Sequence, residues 1–117
     1  MTNIVFSPEA GRDIAEIGDY IAFKLRNKSA ARGLISRIRR AILSLEQFPE
    51  SGTPLSFSGP NFSYRYLVCG SHMIFYHFPE NVIRIDRILY GRRDYLSILF
   101  GEELQEENAE QTDIGSG

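Results

Sequence analysis

The chain has 117 residues, with 13 Lys and Arg against 15 Asp and Glu, 43% hydrophobic and 24% charged residues, one Cys and no Trp. That describes one ordinary globular domain, large enough to bury a core without staples. A lone Cys69 excludes an intrachain disulfide, no cysteine pair has zinc-site spacing, and neither a leader pattern nor an apolar run of membrane-spanning length occurs. The expected setting is therefore a reducing cytoplasm, with no metal or other cofactor.

The net charge of −2 hides a segregation along the chain. Glu102, Glu103, Glu106, Glu107, Glu110 and Asp113 place six acids after Gly101 with no base among them, so residues 1–101 carry +4. A mildly basic domain at 1–101 followed by an acidic, largely disordered tail at 102–117 is expected.

Taken in order, Thr2 to Phe6 is short and β-branched and reads as a strand. Ser7-Pro8-Glu9 is a helix start, with a serine cap, a proline whose missing N–H costs nothing, and a carboxylate at the positive end of the helix dipole. Ile14, Ile17, Ile21 and Leu25 recur at helical spacing, which carries the helix to about Arg26. Asn27-Lys28-Ser29 breaks the pattern. A second helix follows, with Leu34, Ile35, Ile38, Ala41, Ile42, Leu45 and Phe48 on one side, and Pro49 ends it. Arg32, Arg37, Arg39 and Arg40 lie mostly off that stripe, and the plain reading of them is a solvated helix face. Two amphipathic helices with so short a break predict an antiparallel hairpin lying across a sheet.

Residues 50–62 are rich in Gly, Pro and Ser and read as a loop. From Tyr64 to Tyr95 three apolar runs are split by Gly70-Ser71 and by Pro79-Glu80-Asn81, which predicts a three-stranded antiparallel meander. A two-residue turn at Gly70-Ser71 sets Cys69 opposite His72 and Arg65 opposite Tyr76. A three-residue second turn sets Tyr76 opposite Arg84, whereas a four-residue one would reverse the last strand. In that register Tyr64, Tyr66, Val68, Met73, Phe75, Ile83, Ile85 and Leu89 form the core face. The other face carries Arg65, His72, Tyr76, Arg84, Asp86 and Tyr90, mixed with Leu67, Ile74 and Ile88. Gly91-Arg92-Arg93 is then a turn, and Asp94 caps a short helix through Tyr95, Leu96, Leu99 and Phe100. The fold class is α+β.

No phosphate-loop glycines, nucleophile elbow or CxxC is present. The most chemically loaded surface is Arg65, His72, Tyr76, Arg84, Tyr90, Arg92 and Arg93. Guanidinium groups beside a histidine and phenols could hold a phosphodiester and move a proton near neutral pH, which is the equipment of a metal-independent ribonuclease. Each residue also has a structural explanation. His72 follows a hairpin turn, Arg65 or Arg84 could pair with Asp86 or a carbonyl, and Arg92 and Arg93 could dock an acidic partner.

The order of strand, helical hairpin and meander, with Arg65, the run Gly70 to Tyr76 (GSHMIFY) and the run Ile85 to Asp94 (IDRILYGRRD), resembles the RelE/ParE superfamily of type II toxin–antitoxin toxins. RelE-like members are ribosome-dependent mRNA endonucleases with lysines on the first meander strand, an arginine early in the second, another after the last, and a late tyrosine or histidine. Only Arg93 matches that pattern. His72 stands where the second-strand arginine would be, no lysine lies between Tyr64 and Tyr95, and Leu99 and Phe100 occupy the late helix. The Gly-Ser-His turn and aromatic strand are more similar to ParE, although ParE-like sequences often have histidine where Tyr90 stands.

The resemblance thus implies a plasmid-stabilisation toxin that inhibits DNA gyrase and is neutralised by a cognate antitoxin in a heterotetramer or larger assembly. On that branch Arg65, Arg84, Arg92 and Arg93 bind partners and the protein is not an enzyme. The alternative it implies is an endoribonuclease acting on mRNA at the ribosome, with Arg65 and Arg93 on phosphate and His72 or Tyr90 as acid/base. A decayed, nontoxic antitoxin-binding protein is the third reading.

Overall fold

The computed structural model describes residues 3–55, 64–91 and 98–99. The expected turn at Arg92-Arg93, the Asp94 cap, most of the 50–62 loop and the acidic tail lie outside these residues. Of the expected C-terminal helix, Ile98 and Leu99 are described and are helical.

The elements run β1 (Asn3–Phe6), α1 (Pro8–Asp19) with a π-helical turn over Tyr20–Lys24, α2 (Lys28–Leu43) with a 3₁₀ turn over Ser44–Glu46, β2 (Thr53–Pro54), β3 (Arg65–Cys69), β4 (His72–His77) and β5 (Val82–Tyr90). Ser7 ends β1 and starts α1 at once. Its hydroxyl accepts from the Ala10 amide (2.9 Å) and donates to the Asp86 carbonyl (2.8 Å), so the helix cap is also tied to the sheet. The first helical run ends at Arg26, whose φ of 52° is the left-handed turn that stops a helix. Asn27 then caps α2, accepting from the Ala30 amide at 2.9 Å. Leu25 and Phe48, both expected in the core stripes, are exposed because they lie beyond the regular helical turns.

The sheet has five strands in the order β1-β5-β4-β3-β2. It is mixed rather than antiparallel throughout: the meander is antiparallel as expected, but β1 runs parallel to β5 with Ile4 opposite Ile83 and Phe6 opposite Ile85. Parallel neighbours require a long crossover, which the helical hairpin and the rest of the chain supply. No described helix is long and apolar enough to cross a membrane.

The first hairpin has the expected register, with Cys69 opposite His72 and Arg65 opposite Tyr76. The second does not. Glu80 (φ 52°) and Asn81 (φ 66°) make a tight left-handed turn that sets His77 opposite Arg84 and Tyr76 opposite Ile85, and an irregularity then leaves Phe75 opposite Arg87, with Asp86 as the extra residue. Such a bulge reverses the alternation of everything beyond it.

The turn moves Ile83 and Ile85 from the face of Met73, Phe75 and Leu89 to that of Ile74, Tyr76 and Ile88, the bulge returns Ile88 and Leu89 to the faces expected of them, and Val68, expected in the core, is exposed. Ile74, Tyr76, Ile83, Ile85 and Ile88 gather on the helix side, packed with Ala10, Leu34, Ile38, Ile42 and Leu45. Met73, Phe75 and Leu89 point the other way and form a second cluster with Leu55, against which Tyr64, Tyr66, Ile98 and Leu99 pack. Both faces of β4 are therefore buried.

Candidate functional site

Tyr76 is at the centre of the first group of polar residues. Its ring is fully buried, and its hydroxyl donates to the Pro49 carbonyl (2.7 Å) and accepts from the Gly52 amide (2.9 Å). Arg65 works on the same segment: Nη1 donates to the carbonyls of Glu50 (3.1 Å) and Gly52 (2.9 Å), and the guanidinium lies 6.0 Å from the Phe78 ring centre. Its Nε is buried without a hydrogen-bond partner among the described residues. The chain entering β2 is thus fastened to the sheet by a phenol and a guanidinium. Burial raises the Tyr76 phenol above the ordinary tyrosine range, opposed by the Gly52 amide and then by Arg65.

His72 opens β4 at the other end of the first hairpin. Four strand residues, about 13 Å, separate its level in the sheet from that of Arg65 and Tyr76. It is only 7% exposed, its Nδ1 is buried without a partner among the described residues, and its ring meets the edge of Tyr90 at 5.4 Å between centres. Burial holds this imidazole below the usual histidine range, so it is neutral at pH 7. Tyr90, 63% exposed, is the one of the pair open to solvent. The structure therefore brings His72 and Tyr90 together and keeps Arg65 apart from them. Arg84 is exposed, and Arg92 and Arg93 lie outside the described residues.

Two polar pairs carry geometry that residue patterns did not single out. His77 Nδ1 lies 2.8 Å from Asp86 Oδ2, with the Tyr64 ring 4.6 Å from the imidazole. Burial, and secondarily the Asp86 carboxylate, raises the Tyr64 phenol. This pair sits on the bulge, and it holds the extra residue in place. Asp13 of α1, 8% exposed, accepts from Arg87 Nε (2.7 Å) and Nη2 (2.9 Å) and from the Ile88 amide (2.9 Å). It closes the edge of β5 where β1 has ended. The Asp13 hydrogen bond raises Arg87 further above its ordinary value. Only the residue types were visible in advance; the bulge that brings His77 to Asp86 left no mark in the alternation.

Between α1, its π-helical turn and β5 runs an open groove of about 730 Å³, with Ile17, Tyr20, Leu25, His72 and Tyr90 along its walls and the Asp13–Arg87 pair beside them. No group of three or more His, Cys, Asp or Glu among the described residues could hold a metal ion. The site offers a buried neutral imidazole, an exposed phenol and an apolar rim, which suits a macromolecular surface better than an enclosed small substrate.

A family model described as the ParE toxin of the type II toxin–antitoxin system, parDE, matches residues 4–95. The chain belongs to the ParE toxin family. It is the toxin component of a type II toxin–antitoxin system, and such a system implies a cognate antitoxin. A solved structure described as a chromosomal ParDE toxin–antitoxin system from P. aeruginosa has the same fold, with a TM-score of 0.65 at 19% identity, covering 79% of this chain and 98% of that one. Comparison with curated proteins gave no match. In this ParE-family toxin the match takes in β1 through β5, including the Gly-Ser-His turn and the groove beside Tyr90.

Proposed function

We propose that this ParE-family toxin acts by binding DNA gyrase and inhibiting it, and that its cognate antitoxin neutralises it by covering the same protein. The observation that carries this reading is the use already made of the would-be catalytic residues. Arg65 is engaged with two backbone carbonyls, and His72 is buried at the far end of the hairpin. A phosphodiester cannot be gripped by one and deprotonated by the other across about 13 Å of strand. Arg84, exposed and outside any ion pair among the described residues, is the partner-binding member of the arginine set that supports this reading. The antitoxin lays an amphipathic helix and an acidic segment over the helical hairpin and the sheet, in an assembly of two toxins or more.

The test is a pair of assays on the full chain. Gyrase supercoiling is expected to stop at stoichiometric toxin and to resume on adding the protein encoded beside it. Intact supercoiling combined with cleavage of mRNA in the ribosomal A site, lost in Arg93→Ala, would overturn the proposal in favour of the endonuclease reading.

A further inference from the structure

Helix α2 carries a basic surface that the gyrase contact does not use, on the hairpin that the antitoxin also covers. From Tyr20 to Leu45 the sequence contains no acid. Over the same stretch Lys24 and Arg26, in the turn before α2, and Lys28, Arg32, Arg37, Arg39 and Arg40 on it are all exposed. None of them forms an ion pair with a carboxylate of the described residues. A helix face that is merely solvated mixes both signs of charge, because opposite charges three and four residues apart support it and like charges oppose it. This one carries a single sign over its whole length.

We propose that the outer face of α2 binds the phosphate backbone of double-stranded nucleic acid, without reading its sequence. Ala31, Leu34, Ile38 and Ile42 are buried, so at 100° per residue the exposed side shows Lys28, Arg32 and Arg39 along one flank and Arg37 and Arg40 along the other. Between the flanks lie Ser29, Gly33 and Ser36, which keep the crest low. The helix is 16 residues long, a straight ridge of about 24 Å. A duplex presents one phosphate charge per about 1.7 Å of its axis, so a ridge of that length meets several phosphates on each strand it touches. Four of the five cations are arginines, whose planar fork suits phosphate oxygens.

The composition of the face separates this partner from two others. A protein partner needs apolar or aromatic anchors at the centre of the contact, and the exposed residues of α2 are cations, two serines, an alanine and, only at the last position of the helix, Leu43. A single strand needs aromatic side chains on which bases stack, and α2 has no aromatic residue. What remains is a contact made by charge alone. It requires neither gyrase nor antitoxin, and it stands apart from the gyrase proposal.

The experiment is fluorescence anisotropy of a labelled 20-base-pair duplex titrated with the full chain at 50 and 200 mM salt. If four cations neutralise phosphates, affinity falls on the order of 10²-fold between the two salt concentrations. The combined variant Arg32→Gln, Arg37→Gln, Arg39→Gln, Arg40→Gln is expected to lose at least about tenfold in affinity at 50 mM, with a flattened salt dependence. The four arginine-to-lysine changes keep the charge and should keep most of the binding. Arg12→Gln, which removes an exposed cation of α1 placed 3.7 Å from Glu9, should leave the titration unchanged. Should the four-glutamine protein fail to fold, the single changes serve in its place, each reducing the salt slope by about 0.9. The proposal is overturned if no binding occurs at 50 mM, or if the glutamine variants bind like the parent. It is equally overturned if polyglutamate of matching charge displaces the duplex as well as unlabelled duplex does, since the face then reads acidic peptide.

Discussion

Replacing Tyr76 by Phe tests whether the segment before β2 is held by the bonds described above. The substitution removes only the hydroxyl from a fully buried ring, so no cavity larger than one oxygen is left. It takes the donor from the Pro49 carbonyl and the acceptor from the Gly52 amide. Two hydrogen bonds at about 1 kcal/mol each, with part of the desolvation of the orphaned amide added, come to about 2–3 kcal/mol. Arg65 still holds the Glu50 and Gly52 carbonyls, so the segment loosens without leaving. For a domain of this size the loss corresponds to a fall in Tm of roughly 10 °C or more.

The assay is a thermal melt of the full chain followed by far-UV circular dichroism, with urea titration to check that the m-value is unchanged. A fall smaller than about 3 °C would refute the reasoning, because the phenol bonds would then contribute nothing net. An alkaline arm checks the sign independently. Burial raises the Tyr76 phenol, so above pH 10 the unfolded chain gives up its proton first and binds fewer protons than the folded one. Stability therefore declines as pH rises from the unfolded value through the folded one. The Phe variant should lose that part of the decline and keep the part due to Tyr64, which is raised as well.

Three further outcomes are expected. Gly52→Ala should destabilise at least as much as Tyr76→Phe, since a Cβ there would lie 2.5 Å from the Tyr76 hydroxyl and 2.9 Å from the Tyr66 carbonyl; a melt within 2 °C of the parent would count against the close approach. Asp13→Ala strips Arg87 and the Ile88 amide of their acceptor and should cost about 3 kcal/mol, while the double variant Asp13→Ala, Arg87→Met should recover part of it, as read by urea unfolding. His72→Phe removes a buried nitrogen without a partner, so stability at pH 7.5 should hold or rise. Because burial depresses the His72 imidazole, the unfolded chain takes up the proton first as pH falls below about 6.5, and the parent loses stability through the folded value. The Phe variant should show a shallower acid slope between pH 7 and 5, and an unchanged slope would place the titration elsewhere.

Much of the architecture was legible because local chemistry and global fold agree in it. Ser7-Pro8-Glu9 caps a real helix, Asn27 starts the next, and Gly70 with φ +60° makes the hairpin that sets β3 against β4. The choice between a three- and a four-residue second turn was not legible, since the register depends on Glu80 and Asn81 both adopting left-handed backbone, which neither residue demands. Once that turn shifted β5, Ile83 and Ile85 changed partners and joined the core residue Tyr76 on the helix side. The parallel partnership of β1 was hidden for a different reason: a strand of four residues does not announce a neighbour 79 positions away. At the site, the expected faces put His72 and Tyr90 on the same side, but the expected register set His72 opposite Ile88 and not opposite Tyr90. The engagement of Arg65 with carbonyls before β2 could not be anticipated, because hydrogen bonds to backbone leave no signature in residue types.

The pairing of β1 with β5 also governs when a newly made chain can finish folding. Asn3 to Phe6 leave the ribosome first, yet the residues they pair with, Val82 to Ile85, are translated only after most of the domain. Until then both helices can coil but have no completed sheet to lie on, and loop closure across so long a span is slow. A nascent chain therefore lacks its completed sheet for most of its synthesis, and the fold closes only after the last strand has docked.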